Sequence, residues 1–453
     1  MLTHTATLGV VLVLLVLVAH NFGLLQPLEN LGWDLRARYC QFFNKPPSDQ
    51  FVHVDIDDRA VEVIGRTPWP RNVLAEIIDE LRRAGPKAIA LDIMFSDPQQ
   101  VEWDRLADGT FKEIDHDALL IAAIQKTQNM LVGMAFDFDD PGALPPLEQA
   151  MTTALKDDPE LTSEEVVARL NSKGVKFAGT PSEIENTFLR SRRKAVYARI
   201  HELLDQKPMS LDQVLHEMLK KTDLTGKSPL QRVVAEQYNY VTAEREVARL
   251  SWPVPKGSPP ILKAQRISIV PLPSYSRAAS LTGYFNYNFL EGPVRSLAVA
   301  VEYRGRVYPQ LGLALACRVL GVDPAKIRMT ADDVFLPAAD GYVVDIPVHA
   351  QWVNKANQFV PLIADVPWVG TDAWETMYDF PNHKVPKQHV SVNSVWDVIQ
   401  ARERILKNNQ ENFDALMGVL YYNHLDDDDK AAFEELQVHP LPPEETERRE
   451  KLG

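Results

Sequence analysis

The stretch "FVHVDIDDRAVEVIGRTPWPRNVLAEIIDELRRAGPKAIALDIMF", residues 51–95, constrains the fold more than any other part of the chain. "FVHVDI" is a short β-branched run that ends in Asp-Asp, the pattern of a strand entering a turn. "RNVLAEIIDELRRAG" places Val73, Leu74, Ile77, Ile78 and Leu81 on one helical face, with Gly85-Pro86 as the stop. "KAIALDIMF" then reads as a second strand. Strand, helix and strand with short connections predict a right-handed crossover between two parallel strands. "HDALLIAAIQKTQ" and "NMLVGMAFDF" repeat the cycle, so the N-terminal block is expected to be α/β.

Both strands of the opening stretch end in acids. Asp55 and Asp57 point to one side of an extended strand and Asp58 begins the turn, while Asp92 lies near the end of the second strand. Ligands of open parallel sheets gather outside such strand ends. Close carboxylates need partners to stay ionised. A hard cation would serve, which makes Asp55, Asp57 and Asp92 weak metal candidates. Arg59, Arg71 and backbone N–H groups would serve as well, bracing the turn without a ligand. Trp69, held between Pro68 and Pro70, reads as a packing lid or as one wall of a pocket.

Upstream, "ATLGVVLVLLVLVAHNFGLL" (6–25) opens with fourteen residues that carry no charge. As a helix it would reach roughly 30 Å, the thickness of a bilayer core. A transmembrane anchor is therefore expected over residues 1–25. A cleaved signal peptide and a buried core helix are the competing readings; the signal lacks a basic leading region. Arg36 and Arg38 follow the apolar run, and the positive-inside rule alone would leave the bulk of the chain in the cytoplasm. "LENLGWDLRARYCQFF" reads as an amphipathic helix leaving the membrane, with Leu28, Leu31, Leu35 and Phe42 at helical spacing.

Downstream of "DDPGALPP" the pattern changes. Residues 139–260 are rich in helix formers, with weak breaks at Pro181 and Pro208 and no strand signal, and they read as a helical insertion. Strand patterns return over 261–400. There, "VRSLAVAVEY" and "RVYP" are joined by Arg304-Gly305, a hairpin signal, and "PQLGLALACRVLGV" reads as an apolar helix ended by Gly321. Residues 349–390 read as irregular and residues 401–453 as a charged helical tail whose "DDDD" (426–429) faces water. The expected fold is α/β: a mixed, mostly parallel sheet flanked by helices, with a large all-helical insertion and an N-terminal transmembrane helix. The sheet domain is discontinuous, over 26–138 and 261–400.

Composition excludes several functions. In 453 residues the formal charge is -14, which argues against a general nucleic-acid binder. The two cysteines, Cys40 and Cys317, build no disulfide framework. No glycine-rich phosphate loop, nucleophile elbow or paired-cysteine metal spacing occurs. "HELLD" (201–205) starts like a metalloprotease helix but has Asp205 where a second histidine ligand would stand. No cofactor and no catalytic residue is expected.

Taken together, "DIDDRAVEVIGRTPWPR", "AGPKAIALDIMFSD", "GYFNYNFLEGPVRSL" and a Tyr-Pro before an apolar helix resemble the second family of CHASE sensory domains. The residues that carry the resemblance are Asp57, Asp58, Gly65, Trp69, Pro70, Arg71, Gly85, Asp92, Phe95, Gly283, Asn286, Gly292 and Arg295, and it covers about 30–138 and 265–350. It implies the input half of a bacterial membrane receptor, resembling those coupled to nucleotide cyclases or kinases. The helix would cross the inner membrane once and the α/β domain would stand on the periplasmic side. It implies an extracytoplasmic ligand or protein partner and a homodimer or larger membrane assembly. Asp55, Asp57, Asp58, Trp69, Arg71, Asp92, Asn286 and Arg295 are the candidate ligand-binding or turn-bracing residues. Arg71 and Arg295 are the expected partners of the acids.

Two departures from the family stand out. The insertion is longer than the family requires, and a charged helical tail follows "VNSVWDVIQARERI" where a Gly-Lys-x-Val strand and membrane helices are expected. They keep two other readings open. One is a membrane-anchored interaction or assembly subunit without a ligand. The other is an extracytoplasmic metal-dependent hydrolase using Asp55, Asp57 and Asp92.

Overall fold

Proline, glycine and hydroxyl caps set most element boundaries in the computed structural model. It describes residues 2–21, 24–39, 50–105, 110–138, 145–175, 180–222, 228–286, 295–353, 358–366 and 389–423. The chain divides into two compact units. The first comprises Met1–Asn44, Lys87–Val101 and Ile124–Trp368, and the second Lys45–Pro86, Glu102–Ala123 and Val369–Gly453.

The apolar N-terminal run forms α1 (Leu2–Asn21), and α2 (Gln26–Tyr39) follows it. Among the described residues no helix is long and apolar enough to cross a membrane. The described side chains of α1, residues 7–19, account for about 20 Å of helix. From Leu8 to Val18 every large apolar side chain is 48% to 72% exposed.

The opening stretch becomes β1 (His53–Asp55), α3 (Asp58–Ile64), α4 (Arg71–Arg83) and β2 (Ile89–Leu91). Helix α4 buries Leu74, Ala75, Ile77 and Ile78, the face its spacing predicts. Next come β3 (Glu102–Arg105), β4 (Phe111–Ile114), α5 (His116–Lys126) and β5 (Met130–Asp137).

Five helices then follow: α6 (Pro146–Asp157), α7 (Ser163–Ser172), α8 (Pro181–Gln206), α9 (Leu211–Met218) and α10 (Pro229–Leu250). Thr162, Thr180, Ser210 and Ser228 each close a capping box with the Glu or Gln three residues on. Pro181 starts a helix where the sequence suggested a break, because the first helical position has no N–H bond to lose.

The strand-rich part contains β6 (Trp252–Pro253), β7 (Leu262–Lys263), β8 (Arg266–Ile269), α11 (Pro273–Ala278), β9 (Leu281–Tyr284), β10 (Ser296–Ala298), β11 (Ala300–Tyr303), β12 (Arg306–Pro309) and α12 (Leu311–Leu320). It continues with β13 (Arg328–Met329), β14 (Asp333–Pro337), β15 (Val343–Pro347), β16 (His349–Val353), β17 (Gln358–Asp365), β18 (His389–Ser391) and α13 (Val392–Asn423). The Arg304-Gly305 turn does join β11 to β12, with both residues at positive φ (49° and 72°), the geometry that suits two-residue hairpins. Gly321 ends α12 in the left-handed conformation.

Three expectations need correction. Among the described residues the strands form several small sheets, and the parallel strand pairs are β1–β18, β2–β5, β5–β9 and β7–β11. Hairpins such as β11–β12, β14–β15 and β16–β17 make antiparallel pairing the commoner kind. The anticipated β1–β2 crossover pair is also replaced: Val54 of β1 stands opposite Val390 of β18, and Ala90 of β2 opposite Leu131 of β5. Part of the segment read as irregular is the β16–β17 pair, which accommodates Pro361 within β17. The "DDDD" run, Cys40 and Gly292 lie outside the described residues.

In the first unit the helical segment shares the sheet core. Ala243 and Val247 of α10 pack in one buried cluster with Met134, Phe136, Ile267, Tyr284, Val301 and Tyr308. Helix α10 thus builds one wall of the sheet's own core.

Candidate functional site

The carboxylates of the opening stretch occupy different environments. Asp57 sits in extended backbone ahead of α3, and its Oδ1 accepts from the Ala60 N–H at 2.9 Å and from the Ser391 hydroxyl at 2.8 Å. It is an N-cap that also ties α3 to the β18 end. Asp58 is exposed in the first turn of α3, and Asp55 faces Ser391 in the β1–β18 register. Trp69 is 5% exposed, and its Nε1 donates to the Gly65 carbonyl at 2.6 Å, so the indole closes the loop between α3 and α4. Arg71, expected to brace these acids, places Nε 3.5 Å from Asp117 Oδ1, with both side chains 14% exposed.

The remaining sequence candidates belong to the first unit. Asp92 is exposed just after β2. Asn286 is buried beyond β9, where its Oδ1 accepts from the Phe136 N–H at 2.8 Å and its Nδ2 donates to the Phe136 carbonyl at 2.6 Å. The amide thus replaces a missing strand neighbour at the end of β5. Gly283 is required by close approach, since a Cβ there would lie 2.6 Å from Leu311 Cα and 3.2 Å from the Pro309 carbonyl. Arg295, the other expected partner of the acids, forks onto Asp34 of α2, with Nε at 2.7 Å and Nη2 at 2.8 Å from the two oxygens. The hydrogen bonds it donates to Asp34 raise its guanidinium above the usual arginine value.

Asp55, Asp57, Asp58, Trp69 and Arg71 therefore share one unit, and Asp92, Asn286 and Arg295 the other. Among the described residues no group of three or more His, Cys, Asp or Glu side chains is placed to hold a metal ion.

A third constellation escaped the sequence reading. Glu244 of α10 is 4% exposed, yet it carries a carboxylate. Its Oε2 accepts from Tyr197 Oη at 2.7 Å and lies 3.0 Å from His201 Nε2, both on α8; its Oε1 accepts from Tyr303 Oη of β11 at 2.9 Å. With Nε2–H donating to Glu244, His201 Nδ1 is left to accept from Arg304 Nη1 at 3.3 Å. Arg304 Nη2 also donates to the Tyr197 hydroxyl at 2.7 Å. Burial alone would push the Glu244 carboxyl up, but the donors around it and the Arg304 charge hold it below the usual carboxylate value. Burial and the adjacent Glu244 charge push the Tyr303 hydroxyl up to about 12, and Tyr197 is raised by the same causes.

This network joins two helices to a hairpin tip. The "HELLD" segment is part of it: His201 serves Glu244, and Asp205 pairs with Arg245 one residue along α10. Only the i, i+4 spacing of Tyr197 and His201 hinted that they share a helix face. The partner helix lies more than forty residues away, and no local pattern points to it.

No curated protein matches the chain, and no solved structure does. A model of the CHASE2 domain matches residues 10–416, a range that runs through α6–α10 as well as the sheets. CHASE2 is a sensory, non-catalytic domain found in signalling receptors. With most of its length matched, the chain belongs to the CHASE2 domain family.

Proposed function

We propose that this chain is the extracytoplasmic input domain of a membrane-anchored signalling receptor, held in a bacterial inner membrane by α1. Beyond the family, one observation carries the reading: the apolar side chains of α1 from Leu8 to Val18 are exposed on every side. A helix apolar all round is stable when an apolar medium surrounds it, and a bilayer supplies that medium. A ligand or protein bound to the sensory body would act by favouring one of two arrangements, and further helices would relay it to a nucleotide cyclase or kinase. Asp55, together with the family-motif positions Asp57, Asp58, Trp69, Arg71, Asp92, Asn286 and Arg295, is where this reading places ligand contacts or turn bracing.

Membrane extraction tests the anchor. The full chain should stay in the pellet after an alkaline carbonate wash and enter solution only with detergent, whereas a chain lacking residues 1–25 should be soluble from the start. Release of the full chain by carbonate would refute the anchor.

A further inference from the structure

Helix α2 carries an apolar stripe that none of the described residues of its own unit covers. Leu28, Leu31 and Leu35 are 66%, 55% and 50% exposed. Their i, i+3, i+7 spacing puts them within about 60° of arc on one face. The opposite face turns toward the protein: Asn30 and Trp33 are half-buried, and Asp34, to one side, is gripped by the two-pronged Arg295. The stripe and the grip are therefore on separate faces of the same short helix.

We infer that α2 lies along the bilayer surface, with Leu28, Leu31 and Leu35 in the boundary between headgroups and acyl chains. The inference rests on the anchor reading of α1 given above. Only residues 22–25 separate α1 from α2, and at most about 14 Å of extended chain can be drawn from four residues. The joint is tighter than that. The Leu24 N–H bonds to the Ala19 carbonyl at 2.9 Å, and the Glu29 N–H to the Leu25 carbonyl at 3.0 Å. If α1 is in the membrane, α2 starts in the headgroup layer and its leucines meet lipid at little cost.

A second copy of the chain is the rival occupant. A coiled-coil seam needs apolar a and d positions sustained over three or four heptads, and this stripe covers a single heptad. An amphipathic helix at an interface needs no such length. The arrangement also gives Arg295 a role: it docks the start of β10 onto a helix seated on the membrane.

The test uses the full chain in phosphatidylcholine–phosphatidylglycerol vesicles on a Cys40→Ser background. Cys317 can stay, because it is buried and its thiol is pushed up to about 12. Single cysteines at Leu14, Leu31 and Arg36 carry an environment-sensitive fluorophore, and nitroxide-bearing lipid is the quencher. Quenching at 14 and 31, at least threefold stronger than at 36, is the expected result. Quenching at 14 without quenching at 31 would overturn the inference and leave the anchor standing. No quenching at either position would overturn both. A Leu31→Cys chain that forms an inter-chain disulfide in the vesicles, with position 31 unquenched, would give the stripe to a second copy and end the lipid proposal.

Discussion

Asp57 takes its hydrogen bonds from Ala60, three residues along the chain, and from the hydroxyl of Ser391. Glu244 takes its bonds from Tyr197, His201 and Tyr303, and none of these is on its own helix. Each carboxylate braces structure, but their surroundings differ. Asp57 is half-buried, with water near enough to replace a lost partner. Glu244 is buried, so water cannot readily replace a partner it loses. An acid near a backbone donor is a local device worth little beyond its cap. A buried acid shared by three elements holds an architecture together.

If that contrast is right, Glu244→Ala should be the most damaging of the changes considered. It leaves the buried Tyr303 and the half-buried Tyr197 and His201 without the acceptor they share, a loss of about 1–3 kcal/mol for each donor in denaturant unfolding. A loss under 1 kcal/mol would mean that water already reaches the cluster. Asn286→Ala should come next, at about 1–3 kcal/mol, because the Phe136 N–H and carbonyl lose their buried partner. Asp57→Ala should cost about 1 kcal/mol, the usual worth of an N-cap. For Asp58→Ala, which removes an exposed first-turn charge, about 0.3–1 kcal/mol is expected. The order can be read from one set of urea melts, and an Asp57 loss larger than the Glu244 loss would reverse the comparison.

The same contrast predicts a pH signature. The folded-state value of Glu244 lies below the ordinary 4.5, so its contribution is complete above that pH and fades as pH falls through the lower folded value. The Tyr303 hydroxyl is pushed up from 10 to about 12; its contribution is complete below pH 10 and fades as pH rises through the folded value. Unfolding free energy against pH should therefore show an acid shoulder and an alkaline shoulder. Both should shrink in Glu244→Gln. An unchanged profile in that variant would show that other groups set the pH dependence.

Much of the local structure was legible. The apolar spacing of Leu74, Ile77 and Ile78 marked the buried face of α4, Arg304-Gly305 marked the hairpin turn, and Gly321 marked the end of α12. These signals act within one or two turns of chain, where sterics and hydrogen bonding are decided by neighbours. Strand partnership was not legible in the same way. The run "FVHVDI" says that residues 53–55 extend, but nothing in it says that Val54 will meet Val390. The short loops around β2 favoured a β1–β2 pair, and pairing over more than three hundred residues prevailed. The Glu244 cluster was hidden for a related reason: a Glu on a helix rich in charge reads as a solvent-facing residue until the hairpin that covers it is known.

The sensory assignment rests on the family, and its sidedness is open to one direct measurement. Spheroplasts of a Gram-negative host expressing the full chain, tagged at the C-terminus, are treated with a protease that cannot cross the inner membrane. Loss of the tagged body from intact spheroplasts, with a cytoplasmic marker spared, is expected of an extracytoplasmic sensor. Protection of the body until the membrane is lysed would place it in the cytoplasm and contradict an extracytoplasmic sensor.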